Sequence, residues 1–183
     1  MEKNKNISIG ATYGVLIGLL YVIVLFARWT FSSNFIVFGS IAFFGYILVL
    51  GFLFFEAYQR RKLEPRRVID LKNLFQTLFI SVLIFELIYG IYNYLHLTVI
   101  DPDVVNRMKA GMEQMFDKMP EGQISAKQRE DSLKQFDEMK KATEIGQIVK
   151  SFLISISISG FFAFVIALIM RKKDSGTEMP QHI

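Results

Sequence analysis

The chain has 183 residues, of which 52% are hydrophobic, and it carries a formal net charge of +4. It contains no cysteine, which excludes a disulfide framework, a thiolate metal site and a cysteine nucleophile. With only two histidines, we expect no histidine-based metal centre, and no motif predicts a cofactor. The basic residues cluster at the ends of long apolar stretches, a pattern that indicates membrane orientation rather than nucleic-acid binding.

Four apolar stretches predict an all-α, polytopic membrane protein with one membrane domain over residues 1–183. Each stretch has about 20 residues or more, enough to cross a hydrocarbon core of about 30 Å at a rise of about 1.5 Å per residue. The first stretch is too long for a signal peptide, and no small-x-small cleavage site follows it, so we expect it to be retained. The predicted spans are 7–27, 35–55, 74–95 and 151–170.

The distribution of lysine and arginine predicts the orientation of the spans. Lys3 and Lys5 precede the first span, further basic residues fill the 56–73 loop, and Arg171-Lys172-Lys173 follows the last span. Short basic segments stay in the cytoplasm. The expected topology is therefore N-in/C-in, with a cytoplasmic 56–73 loop and an extracytoplasmic insertion at about 98–147.

The first span carries glycines at every fourth position, namely Gly10, Gly14 and Gly18. Such spacing makes a flat helix face that a second helix can approach closely. We expect this face to pack inside the chain, with a homodimer contact as the alternative. At the end of the second span, Glu56 and Arg60 have the spacing of a helical i,i+4 ion pair. The basic loop that follows favours contact with lipid headgroups, or alternatively with an acidic partner.

The third span has a polar stripe and a carboxylate near its middle, Glu86. At helical spacing the stripe consists of Gln76, Phe79, Val82, Glu86, Tyr89, Asn93 and His96. Such asymmetry indicates one face toward protein and one toward lipid. No lysine or arginine reaches the depth of Glu86, so we expect hydroxyl groups rather than a cation as its partners.

The insertion between the third and fourth spans predicts an amphipathic helical hairpin. Asp101-Pro102 has the pattern of an N-cap followed by a first-turn proline, and Ser125 with Gln128 resembles a capping box. An apolar seam follows Asp101, formed by Val105, Met108, Met112, Met115 and Met119. We expect this methionine seam to pack within the hairpin, while a partner-binding surface is the alternative and a metal site is not expected.

Small hydroxyl residues mark the first half of the fourth span: Ser151, Ser155, Ser157 and Ser159. Serine lets helices pack closely and forms interhelical hydrogen bonds. By helical rise, Ser157 and Ser159 lie at about the depth of Glu86, and Tyr21 of the first span is also close. The candidate polar residues inside the membrane are Glu86, Tyr89, Asn93, Ser155, Ser157 and Ser159. Glu86 then has a structural hydrogen-bonding role, or alternatively a role in transport.

The third span ends in IYNYLHLTVIDPD, with Ile100-Asp101-Pro102-Asp103 as its sharpest element. Together with the basic loop, the charged helical segment and the closing RKK, this segment resembles the bacterial, mostly Bacteroidota, membrane family DUF4199. The resemblance implies a four-helix inner-membrane protein with no established activity and no assigned functional residues.

No paired-acid site, nucleophile triad, phosphate loop or metal cluster is present in the sequence, so we predict a protein that is not an enzyme. The leading hypothesis is an accessory or scaffold subunit that binds another envelope protein. A homodimer is a further option. The alternative is a small oligomeric transporter or channel subunit that uses Glu86.

Overall fold

The computed structural model describes residues 2–64, 68–120, 123–141 and 144–171, and the regular elements in these ranges are helices. With α3 extended by its short π-helical segment, four helices are long and apolar enough to span a membrane. The prediction of an all-α protein with four such helices, and a helical hairpin between the third and the fourth, is confirmed. The elements are α1 Glu2–Thr30, α2 Phe35–Lys62, α3 Leu71–Leu95, a π-helical segment His96–Ile100, α4 Val104–Asp117, α5 Ala126–Lys141 and α6 Ile145–Met170.

The third helix is the centre of the bundle, because α3 packs along both α1 and α6 while α2 contacts α1 and α6. Lys5 Nζ donates to the carbonyl oxygen of Leu63 at 3.3 Å, and Arg61 Nη1 donates to that of Met170 at 3.2 Å. The start of α1 and the ends of α2 and α6 therefore meet at one end of the bundle, here called the basic end. The opposite end carries α4 and α5 and is called the hairpin end.

Two long helices begin at side chains that cap their first turn. Asn34 accepts a hydrogen bond from the backbone N–H of Val37 at 3.2 Å, and Asp70 accepts one from that of Asn73 at 2.9 Å. A side-chain acceptor at this position satisfies a backbone donor that has no partner within the helix. These caps set the starting points of α2 and α3.

The glycines of α1 lie directly against α3. A Cβ atom added at Gly10 would lie 2.5 Å from the carbonyl oxygen of Thr77, and one added at Gly14 would lie 2.7 Å from that of Ser81. At Gly18 the nearest atom is Cδ1 of Ile88, at 2.6 Å. The two helices approach so closely because these positions lack side chains, and the glycine face is occupied by the same chain.

The outward faces of the spanning helices carry large apolar side chains, as expected for contact with lipid. Phe44 on α2 is 66% exposed, and Ile23 on α1 has the same exposure. The polar groups of the spanning helices lie mainly inside the bundle or at its ends. Apolar side chains outside and polar groups inside or at the ends are the distribution expected for a protein surrounded by lipid.

The hairpin rests on the end of the bundle. Val104 and Met108 of α4 are buried, and the ring of Phe136 on α5 packs edge-on against Phe35 at 5.9 Å. At the start of α5, the Ser125 N–H donates to Gln128 Oε1 and the Gln128 N–H donates to Ser125 Oγ, at 3.0 and 3.2 Å. This reciprocal pair is the predicted capping box.

The predicted start of α4 is wrong. The helix begins at Val104, its N-cap is Asp103, and Asp101 forms an ion pair with Arg107 instead of capping the helix. The hydrogen bond from Arg107 lowers the pKa of Asp101 below its usual value. The reason for the difference is the π-helical segment, which carries α3 as far as Ile100 and moves the turn beyond Asp101.

Candidate functional site: the groove between α3 and α6

A groove of about 590 Å³ lies between the hairpin-end halves of α3 and α6. Its walls are formed by residues 86–97 of the α3 segment and residues 145–155 of α6, or about 16 Å of helix at about 1.5 Å per residue. Most of the lining is apolar. The lining residues are Glu86, Leu87, Tyr89, Gly90, Ile91, Asn93, Tyr94, Leu95, Leu97, Ile145, Ile148, Val149, Ser151, Phe152 and Ser155.

The groove exists because α3 and α6 touch in one half and are apart in the other. Toward the basic end, an added Cβ at Gly160 would lie 3.0 Å from Phe79, and Phe75 packs edge-on against Phe164 at 5.6 Å. Toward the hairpin end, Ile145 is 80% exposed. Gly160, which has no side chain, thus allows the close contact between α3 and α6 on the basic-end side of the groove.

Glu86 lies at the closed end of the groove and is 3% exposed. Its Oε1 accepts a hydrogen bond from Ser159 Oγ at 2.5 Å. No lysine, arginine or histidine of the described ranges forms an ion pair with it. The carboxyl group therefore joins α3 to α6 through a hydrogen bond from a hydroxyl group rather than through an ion pair.

Of the other polar residues predicted from the sequence, some line the groove and one does not. Tyr89, Asn93 and Ser155 line the groove with Glu86, whereas Ser157 is exposed outside it and donates to the carbonyl oxygen of Leu153 at 2.8 Å. The side chains of Asn93 and Ser155, and that of Ser151, form no hydrogen bond with another residue of the described part of the chain.

The first residues of the methionine seam on α4 face the bundle. Val105 and Met108 are 4% and 2% exposed, and Met112 packs against the same core. Met115 and Met119 are partly exposed. The chain itself therefore covers the first half of the seam.

A buried polar cluster at the basic end was not found from the sequence. Arg60 is fully buried, and its Nε and Nη2 atoms donate to Asn6 Oδ1 at 3.1 and 2.7 Å. Asn6 Nδ2 in turn donates to Asn73 Oδ1 and Gln76 Oε1, both at 3.1 Å. Arg60 also pairs with Glu64. These contacts tie α1, α2 and α3 together where they leave the bundle.

The predicted ion pair of Glu56 with Arg60 is wrong, because Arg60 is directed toward Asn6 and Glu64. Glu56 is 1% exposed and lies beside the Ser81 hydroxyl. The helix continues to Lys62, so Glu56 lies more than one turn inside the bundle. Glu56 is therefore a buried acid in addition to Glu86.

Four apolar helices of spanning length packed around a central helix define a multi-pass α-helical membrane protein. The family model described as "Protein of unknown function (DUF4199)" matches residues 12–172. The chain belongs to this family, which confirms the resemblance of its sequence. No curated protein and no solved structure matches the chain. Nothing in the family or in the described residues indicates an enzymatic activity, and the described residues hold no group of three or more acidic, histidine or cysteine side chains suited to a metal.

Proposed function

We propose that the protein is a non-enzymatic accessory subunit of a membrane complex, and that a transmembrane helix of a different protein packs into the groove between α3 and α6. The observation that carries this proposal is a set of polar side chains that face the groove without a partner in the described chain. They are Asn93, Ser151 and Ser155.

Unsatisfied polar groups are unfavourable in the hydrocarbon region, where water is not available to bond to them. An acyl chain that filled the groove would leave Asn93 and Ser155 in the same state, since it has neither a donor nor an acceptor. A helix with a serine, threonine, asparagine or glutamine on its contact face can bond to them, and such bonds contribute to helix association. The polar lining therefore favours a protein helix over lipid.

The dimensions of the groove also fit a helix that packs against it. The groove extends along about 16 Å of α3 and α6, or about three turns of a helix that packs alongside them. A row of side chains from such a helix can lie in the groove. Rows of side chains on one helix usually pack into the grooves between the side-chain rows of its neighbours.

The proposed orientation puts the basic end in the cytoplasm and the hairpin outside, in the inner membrane of a bacterium. Its support is the cluster of Lys5, Arg60, Arg61 and Lys62 at the basic end, since short basic segments stay inside. Residues 66, 67, 172 and 173, which also support it, lie outside the described residues. The groove would then open in the outer half of the membrane.

Substitution of Ser155 by tryptophan is expected to fill the groove and to release the partner while the bundle stays folded. The matched control is Ser157→Trp, which places the same side chain two residues away at an exposed position outside the groove. Native mass spectrometry of the protein extracted from its own membranes in mild detergent provides the measurement. The wild type and Ser157→Trp should retain a second protein that Ser155→Trp loses. A complex that survives Ser155→Trp, or that contains only two copies of this chain, contradicts the proposal.

A transporter subunit is the second candidate, and the two buried acids, Glu86 and Glu56, favour it. If Glu86 carries protons, Glu86→Gln should abolish proton flux into proteoliposomes that contain the oligomer. We expect instead that Glu86→Gln and the exposed control Glu130→Gln show the same flux as the wild type. We also expect Glu86→Gln to lower stability by only about 0.6 kcal/mol, the mean value for an interhelical hydrogen bond in a membrane. A selective loss of flux in Glu86→Gln would establish the transporter instead.

A further inference from the structure

We propose that the hairpin end of the bundle binds a phosphate group through Arg28, Trp29 and His96, here called the donor cluster. This site is separate from the groove and does not depend on the proposed partner.

Three buried nitrogen atoms of the donor cluster have no hydrogen-bond partner within the described chain: Arg28 Nε, Trp29 Nε1 and His96 Nε2. Trp29 and His96 are each 4% exposed, and their rings stack at 5.2 Å with an interplanar angle of 15°. The Arg28 guanidinium lies 4.1 Å from the ring centroid of Phe38 and 5.8 Å from that of Trp29. The three unpartnered nitrogens therefore belong to one small neighbourhood.

The three nitrogen atoms are suited to a ligand that accepts hydrogen bonds. Arginine and tryptophan nitrogens can only donate, and the Tyr92 hydroxyl lies 3.4 Å from His96 Nδ1. When that hydroxyl donates to Nδ1, the ring proton is on Nε2, which becomes the third donor. No carboxylate in the described ranges forms an ion pair with Arg28. Three buried donors with an unpaired positive charge match an oxyanion, because buried donors normally have partners.

The backbone at His96 is also irregular. His96 begins the π-helical segment that ends at Ile100, and its carbonyl oxygen accepts the N–H of Asp101 at 2.8 Å. Such segments often occur at functional sites. Here the segment follows α3 immediately, at the point where the His96 ring stacks on Trp29 of α1.

The depth of the donor cluster is consistent with the position of phosphate groups at a membrane surface. Arg28 lies eleven residues beyond Ile17, the midpoint of the Asn4–Thr30 span, or about 16 Å by helical rise, compared with about 15 Å for half the hydrocarbon core. Lipid phosphates lie at this boundary, and Arg28 is the partly exposed member of the donor cluster. The planar guanidinium group of arginine can bond to two phosphate oxygens at once, which the ammonium group of lysine does less well. The phosphate can come from a lipid headgroup or from a free anion.

The fluorescence of Trp29, the one tryptophan of the chain, provides a direct readout. The full chain in detergent is titrated with dihexanoyl phosphatidylglycerol, with sodium phosphate, and with dihexanoylglycerol, which has no phosphate. We expect a saturable change in emission with a phosphate-bearing probe and none with dihexanoylglycerol. Arg28→Gln should weaken binding about tenfold or more, the effect of a lost charge-assisted hydrogen bond.

The control is Arg129→Gln, which removes the same charge from an exposed position of the hairpin and should bind as the wild type does. If Arg28→Gln does not elute as a folded protein, His96→Phe tests the same site, because it retains the ring and removes the Nε2 donor. Saturation by the lipid alone identifies a headgroup, and equal saturation by sodium phosphate identifies a free anion. No saturable change with either probe, or equal binding by wild type and both variants, overturns the site and leaves water as its occupant.

Discussion

Replacement of Gly14 by leucine should destabilise the folded protein by about 3 kcal/mol or more, at or beyond the upper end of the usual penalty for overpacking. An added Cβ there would lie 2.7 Å from the carbonyl oxygen of Ser81 and 2.9 Å from Cβ of Ile84. The first of these atoms belongs to the backbone of α3 and cannot rotate away. The two helices would have to separate along the longest interface of the bundle.

Gly51→Leu provides the control for this prediction, because no atom lies within 4 Å of a Cβ added at Gly51. This exposed substitution should change stability by no more than about 0.5 kcal/mol. The measurement is the temperature at which each variant, in detergent, disappears from the folded peak of a size-exclusion column. Similar losses for Gly14→Leu and Gly51→Leu would mean that α1 and α3 do not pack through these glycines.

Arg60→Met is expected to destabilise the protein by about 3–5 kcal/mol, the range for removal of one partner from a buried ion pair. The variant would leave Asn6 without its donor and would remove one of the two cations beside Glu64. Burial acts to raise the pKa of Glu64, but the hydrogen bonds from Lys5 and Arg60 outweigh it and lower the pKa. Loss of Arg60 should therefore move this pKa upward.

The matched control is Lys62→Met, which removes a positive charge two residues away at an exposed position. Thermal unfolding of both variants in the same detergent gives the comparison. We expect a large decrease in the midpoint for Arg60→Met and almost none for Lys62→Met. Equal midpoints would show that the cluster around Arg60 does not stabilise the junction of α1, α2 and α3.

The number of spanning helices could be predicted from the sequence because it depends on local properties, namely apolar length and the positions of basic residues. The partner of Arg60 could not be predicted from the sequence. Arg60 is four residues from both Glu56 and Glu64, so helical spacing allows either pair, and Asn6 decides between them from 54 positions away. Only the packing of α1 against α2 supplies that information.

The candidate site was predicted only in part, for a similar reason. Helical spacing places Gln76, Glu86 and His96 on one polar stripe of the third span. The structure directs them to three places: Gln76 to Asn6, Glu86 to Ser159 and His96 to Trp29. The groove depends on the distance between α3 and α6, a quantity that no single helix encodes.

Photocrosslinking in the native membrane tests the central claim most directly. A photoreactive benzoylphenylalanine replaces Val149, which lines the groove and is 52% exposed, or Leu19, which is 58% exposed on α1. The proposal predicts one discrete protein adduct from position 149, its loss when Ser155→Trp is added, and no such adduct from position 19. An adduct of twice the mass of the chain, an adduct that persists with Ser155→Trp, or no protein adduct at position 149 would contradict it.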